Sequence, residues 1–151
     1  MRLWRISDFA NLSGEGGLFA SGRWHSRGRR VVYLSDYPAS ALLEVLVHLE
    51  VDADDLPDSY QLITVEVPDE VAFDRIEIGT LPASWAHNLD ATRPLGDRWL
   101  ADGYTALLWV PSAIIPVASN WLLNPAHPDC AKLSVAEVTR MSFDPRLFGA
   151  I

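Results

Sequence analysis

A chain of 151 residues that is 49% hydrophobic and 21% charged has the size and composition of one compact domain. It is too apolar for a disordered segment and too interrupted by charge for a membrane bundle, and a formal charge of −8 argues against the phosphate backbone of nucleic acid as a direct partner. The single cysteine, Cys130, leaves no internal disulfide and no cysteine-based zinc cluster; no apolar signal segment follows Met1, so a cytoplasmic protein is expected, with residues 1–151 read as a single domain.

Leu3-Trp4-Arg5-Ile6 alternates as a short strand, and residues 11–22, with Gly14, Gly16, Gly17 and Gly22, read as a loop. That loop is glycine-rich without the Walker lysine or the strand–helix context of a dinucleotide fingerprint. Val31-Val32-Tyr33-Leu34 reads as a buried strand, followed by Ser35 and Asp36 as cap candidates and by Pro38 in the first turn of a helix. Within residues 39–49, Leu42, Val45, Leu46 and Leu49 fall on one stripe, whereas Glu44 and His48 share a different face.

Further on, residues 60–68 alternate as a strand, residues 85–102 are expected to be helical in part and broken at Pro94, and residues 106–110 form another buried strand. From 103 to 128 no residue carries a formal charge. Those 26 positions exceed a membrane span in length, but Pro111, Pro116 and Pro125 with Ser112, Ser119, Asn120 and Asn124 exclude one. The stretch is expected to be a core strand followed by a buried polar loop, which is either satisfied internally or lines a pocket. Residues 133–138 and 141–143 read as closing strands. There is no regular βαβ repeat and no internal repeat, so the fold class is α+β rather than a doubly wound sheet.

Charge is unevenly spread. Arg2, Arg5, Arg23, Arg27, Arg29 and Arg30 against Asp8 and Glu15 leave residues 1–30 at +4, while residues 31–151 carry −12. Such a basic edge is either a set of solvated arginines or a pocket for a small phosphorylated ligand, which guanidinium groups grip bidentately. No Gly-x-Ser-x-Gly elbow, His-Glu-x-x-His helix or acidic calcium loop occurs, and His25, His48, His87 and His127 are scattered over different elements, so no metal is expected. Glu44 stands out because it interrupts the apolar run Ala-Leu-Leu-Glu-Val-Leu-Val, where a carboxylate at the border of a core is costly unless paired. The plain alternative is a solvent-facing glutamate paired with His48 one turn later. Tyr33 equally suits a core, and Ser112 after Pro111 a turn.

Four segments taken together resemble one family. Gly22-Arg23-Trp24-His25, Val31-Val32-Tyr33-Leu34-Ser35, Ala41-Leu42-Leu43-Glu44-Val45-Leu46-Val47-His48, and Val110-Pro111-Ser112-Ala113 with Asn120 and Asn124-Pro125 are similar, in this order, to the RES domain. The resemblance runs from Trp4-Arg5-Ile6 to Pro128. It implies a bacterial toxin of a type II toxin–antitoxin system, partnered by an antitoxin with an Xre-type helix-turn-helix. It also implies a mixed fold like that of the ADP-ribosyltransferase toxins, with sheets around a cleft, and NAD as the substrate. The family's arginine, tyrosine, glutamate and serine match Arg23, Tyr33, Glu44 and Ser112 here.

On that resemblance, Glu44 opposes the cation that develops at the ribose, Arg23 grips the pyrophosphate with Arg27, Arg29 or Arg30 assisting by steering, Tyr33 offers a flat face to the nicotinamide or its ribose, and the Ser112 hydroxyl orients ribose or carboxamide. Asn120 is a candidate for the cleft wall. The expected activity is growth arrest by cleavage of NAD through hydrolysis or phosphorolysis. ADP-ribosyl transfer to a cellular protein is the alternative within the same chemistry, and a noncatalytic interaction toxin the alternative outside it. A homodimer bridged by antitoxin chains is the assembly that the family suggests.

Overall fold

The computed structural model describes residues 1–49 and 55–149. Seven strands form one sheet: β1 (Arg2–Ile6), β2 (Val32–Ser35), β3 (Ser59–Glu66), β4 (Phe73–Arg75), β5 (Leu107–Pro111), β6 (Ser119–Leu123) and β7 (Ser134–Ser142), in the order β4-β5-β6-β2-β1-β3-β7. All neighbours run antiparallel except β4 and β5. Three α-helices accompany the sheet among the described residues, α1 (Gly16–Phe19), α2 (Pro38–Leu46) and α3 (Leu89–Asp102), with short 3-10 turns between elements. The α+β class expected from the sequence is what the chain adopts.

Because successive residues of a strand point to opposite faces, the sheet sorts its side chains into two cores. On one face Leu3, Val32, Leu34, Ile63, Val65, Leu107, Trp121 and Leu123 pack together. On the other, Leu108, Val110 and Leu122 pack with Trp24, Trp85 and the α3 residue Trp99, and Tyr33 borders this second cluster. Register decides which polar residues join Tyr33. Tyr33 lies opposite Leu122, and Asn120 lies opposite both Ser35 and Val110. Hence Tyr33, Ser35 and Asn120 share the second face.

Several elements differ from their sequence reading. The loop over 11–22 contains the short helix α1. Ser35 and Asp36 do not cap α2, whose N-cap is Tyr37 with no side-chain bond and whose first helical residue is Pro38. They face the neighbouring strand instead. Asp36 accepts hydrogen bonds from the Ser119 hydroxyl and from Trp121 Nε1 at 2.6 Å, and Ser35 donates to Asn120 Oδ1 at 3.0 Å. In α2 the apolar stripe is only half-buried and Ala41 is the buried residue; this nine-residue helix packs against the central strands β1 and β2.

Pro94 does not break α3. Its missing N–H costs one helical bond near the N-terminus, and the burial of Thr92, Gly96 and Trp99 against the second core outweighs that loss. The uncharged stretch holds two strands rather than one: the predicted polar loop contains β6, which lies between β5 and β2. The two closing strands are one, β7, and β4 is an exposed three-residue strand that the sequence reading missed. Among the described residues no helix is long and apolar enough to cross a membrane.

Gly96 lets α3 approach the segment carrying Arg23 and Trp24, since a Cβ there would overlap the Trp24 carbonyl oxygen. A Gly96→Ala substitution is therefore expected to lower stability by about 1–3 kcal/mol or more, as overpacking does, even though alanine favours helices. The urea midpoint measures it; an unchanged or raised midpoint would contradict this packing.

Candidate functional site

One face of the sheet, α2 and the segment 11–25 enclose a cavity of about 930 Å³, at the upper end of what small-molecule sites occupy. Where the family resemblance implies sheets around a cleft, a single sheet supplies one wall, and the helix and the glycine-bearing segment supply the others. Arg23, Tyr33, Glu44 and Asn120 all line this cavity.

Glu44 reaches it from the middle of α2, and both of its hydrogen bonds fall on one oxygen. Oε1 accepts from Ser112 Oγ at 2.9 Å and from Asn120 Nδ2 at 2.7 Å. Oε2 has no hydrogen-bond partner among the described residues. Asn120 is held in turn by Ser35, which fixes its amide orientation: Oδ1 accepts from the serine hydroxyl, so Nδ2 faces the carboxylate. Ser112 is buried, with only 4% of its surface exposed, and its Oγ also accepts from the backbone N–H groups of Ile114 and Ile115 at 3.2 and 3.3 Å. It stands behind Glu44 rather than on the wall, and its hydroxyl proton is committed to the carboxylate. His48 lines the cavity but makes no hydrogen bond to Glu44, so the helical Glu–His pair is not the carboxylate's partner.

Positive charge enters from three directions. Arg23 leads into the Trp24–His25 turn, its carbonyl oxygen takes the Thr92 hydroxyl at 2.6 Å, and its Nη1 donates to the Trp85 carbonyl at 3.5 Å. Arg93 of α3 donates Nε to the Gly22 carbonyl at 2.8 Å, and Arg5 of β1 donates to the Asn11 carbonyl at 3.3 Å. All three line the cavity, and none is in a salt bridge among the described residues. Burial lowers the Arg5 pKa, the direction expected for a guanidinium held away from water; an arginine stays charged nonetheless.

The arginines expected to assist are placed elsewhere. Arg29 is tied to Asp97 at 3.2 Å, Arg30 to Glu15 at 3.7 Å, and neither they nor Arg27 line the cavity. Sequence reasoning missed Arg93 and counted Arg5 only as a member of the basic edge. Proximity of Arg93 to Gly22 depends on the packing of α3, which no local pattern reports.

Tyr33 is nearly enclosed, and its phenolic oxygen accepts the Trp24 backbone N–H at 3.1 Å and lies 2.8 Å from His25 Nδ1. Burial drives its pKa well above the ordinary tyrosine value, so it is a neutral phenol at any physiological pH.

The architecture places this chain in a known structural class. It superposes on the M. tuberculosis MbcT–MbcA toxin–antitoxin complex with a TM-score of 0.74, covering 98% of this chain and 86% of that one, at 18% sequence identity. Sequence relatives narrow the class. "Toxin Res" of Pseudomonas putida is 48% identical over 150 residues, 98% of this chain and 100% of its own length. The "Prs ADP-ribosylating toxin" of Sphingobium sp. is 37% identical over 154 residues, covering 95% of this chain and 94% of that one. Residues 2–144 match the RES domain, and the chain belongs to the RES family of toxins.

His25 supplies a pH signature. Desolvation lowers its pKa from the ordinary 6.5, against the smaller opposing effects of its backbone hydrogen bonds and Asp97. The unfolded chain therefore takes up this proton more readily, and the contribution to stability is complete above 6.5 and is lost as pH falls through the folded value. Urea midpoints taken from about pH 5 to about pH 7.5 are expected to fall on the acid side in the wild type and to fall less steeply in His25→Asn. Parallel slopes in the two proteins would contradict this.

Proposed function

We propose that the protein is the toxin of a toxin–antitoxin pair that consumes NAD by breaking the bond between nicotinamide and ribose. The observation that carries this reading is the one-sided anchoring of Glu44: one oxygen takes two donors and, among the described residues, the other has none, in a cavity shared with three guanidinium groups that pair with no carboxylate of the described residues. NAD matches that distribution, with a pyrophosphate for the arginines and a cationic nicotinamide ribose for the carboxylate.

Cleavage sends the electron pair of the glycosidic bond to the nicotinamide nitrogen, which leaves as a neutral base, and positive charge builds on the anomeric carbon and ring oxygen. A fixed carboxylate is the natural stabiliser of that charge, because it is oriented before the reaction begins. Arg23 grips the pyrophosphate, with Arg5 and Arg93 completing a positive wall. Tyr33 presents its ring to the nicotinamide riboside. Ser112 and Asn120 act through Glu44, so the serine positions the carboxylate rather than the ribose. A neutral leaving group asks for no Lewis acid.

The oxocarbenium ion is then captured by an acceptor. Water gives ADP-ribose after loss of a proton, inorganic phosphate gives ADP-ribose phosphorylated at the anomeric carbon, and a protein side chain gives an ADP-ribosylated target. The name of the Sphingobium relative favours transfer as the second reading. The toxin–antitoxin complex among its structural neighbours supports a partner chain. In this reading the partner is an Xre-type antitoxin that covers the cavity in the cytoplasm, bridging two toxin chains, and the net charge of −8 attracts a basic partner surface.

Purified protein free of antitoxin is expected to lower NAD and release nicotinamide in equal amounts. Glu44→Gln keeps the shape of the side chain and removes its charge, and is expected to slow the reaction about 10²-fold or more. Arg23→Ala weakens it as well. Both variants should keep the wild-type circular dichroism spectrum. Undiminished NAD loss in folded Glu44→Gln would refute the assignment, and mass spectrometry of the products with and without phosphate and cell extract names the acceptor.

A further inference from the structure

We infer that His25 is a positioning residue that accepts the hydrogen bond of the Tyr33 phenol, so that the ring of Tyr33 and not its O–H group meets the ligand. The inference deepens the reading of this cavity as an NAD site, and part of its test is independent of that reading.

The geometry determines the direction of each hydrogen bond. His25 is buried, with 3% of its surface exposed, and its Nε2 lies 3.0 Å from the Ala20 carbonyl oxygen. A carbonyl only accepts, so Nε2 carries the hydrogen. In the neutral imidazole Nδ1 is then an acceptor, and the Tyr33 hydroxyl, 2.8 Å away, must donate to it. The same phenolic oxygen accepts the Trp24 N–H at 3.1 Å. The donor capacity of Tyr33 is thus spent inside the protein.

The surroundings are built for this pair. A Cβ on Gly17 would stand 3.1 Å from His25 Nε2 and one on Gly22 3.0 Å from Nδ1, so two glycines leave the room that the imidazole fills. The two rings lie 5.6 Å apart, tilted at 53°. Charged groups near them come from α3 and from the residue two positions before His25: Asp97, Arg93 and Arg23. Asp97 is occupied by Ser26 at 2.8 and 2.6 Å and by Arg29, and Arg93 by the Gly22 carbonyl, so none of these groups replaces the histidine as the acceptor. A protonated His25 has hydrogens on both nitrogens. It can no longer accept from Tyr33, and the phenolic hydrogen must turn toward the cavity.

The first test reads the pair directly. In the full-length protein without ligand at neutral pH, nitrogen-15 shifts of His25 are expected to show a protonated Nε2 and an unprotonated, hydrogen-bonded Nδ1; the opposite tautomer would overturn the inference. The second reads its consequence. His25→Leu removes the acceptor and is expected to cut kcat/KM for NAD about 10- to 100-fold, the cost of misplacing a positioned group, whereas the His25→Asn carbonyl stands near Nδ1 and restores most of the loss. The wild-type decline in kcat/KM at acid pH should be absent from His25→Asn. Equal kcat/KM in folded Leu and Asn variants, or an unchanged acid limb in the Asn variant, would overturn the positioning role. A wild-type protein that cleaves no NAD sinks the proposed reaction, and the nitrogen shifts still decide the pair.

Discussion

Among the described residues the carboxylate of Glu44 is anchored at one oxygen and has no partner at the other, and much of the surrounding architecture follows from what that arrangement requires. Its two donors come from different strands: Asn120 is in β6, and Ser112 follows β5. Holding them at hydrogen-bonding distance of α2 requires β5, β6 and β2 to be adjacent and in register, with Val110 opposite Asn120 and Asn120 opposite Ser35. Asp36 tightens the same junction by binding the residues on either side of Asn120, Ser119 and Trp121. A long-range sheet register is therefore translated into the orientation of one side chain. Such a carboxylate keeps its geometry without help from the ligand, which is the condition for preorganised electrostatics.

Electrostatics inside the cavity run opposite to those of the whole molecule. A chain at −8 repels anions at long range, and screening confines that field to about a Debye length. Within the cavity Arg5, Arg23 and Arg93 outnumber Glu15 and Glu44, and among the described residues each arginine is fastened to a backbone carbonyl rather than to a carboxylate. A guanidinium that donates to a carbonyl keeps its full charge for an incoming anion. Arg29 and Arg30, spent on Asp97 and Glu15, do not. The difference between the two groups lies in their partners and not in their position along the chain.

The parts of this arrangement that sequence exposes are the local ones. Period-2 alternation marks β1 and β3, continuous apolar runs mark β2 and β5, and the apolar run around Glu44 marks a carboxylate in an unusual place. The motif order shared with the RES family already groups Arg23, Tyr33, Glu44 and Ser112 in the sequence. β6 is hidden because Ser119 and Asn120 make its first half resemble a loop, although both are polar for a reason: each binds a carboxylate of the α2 region. Arg93 and His25 are hidden for another. Their roles depend on contacts with the Gly22 turn, and only the tertiary packing of α3 and α1 creates those contacts. Ser112 is visible as a site residue but not in its role, since a hydroxyl behind a carboxylate and one beside a substrate have the same signature in sequence.

In the proposed reaction the two kinds of charge do different work. The pyrophosphate is negative before, during and after bond cleavage, so arginines that grip it lower the ground state and the transition state alike, and their contribution is chiefly to hold the dinucleotide. Charge at the anomeric carbon exists only as the nicotinamide departs, so a carboxylate that faces it is rewarded in the transition state alone. The cavity keeps the two apart by element: guanidinium groups arrive from β1, the Gly22 turn and α3, and the carboxylate from α2. Tyr33 lines the same cavity, neutral at working pH and with its hydroxyl turned into the protein. A second donor at that point would compete for the ligand's oxygens and for Oε2 of Glu44. An aromatic face offers contact area to a planar base without either competition, which leaves the open carboxylate oxygen to the developing cation.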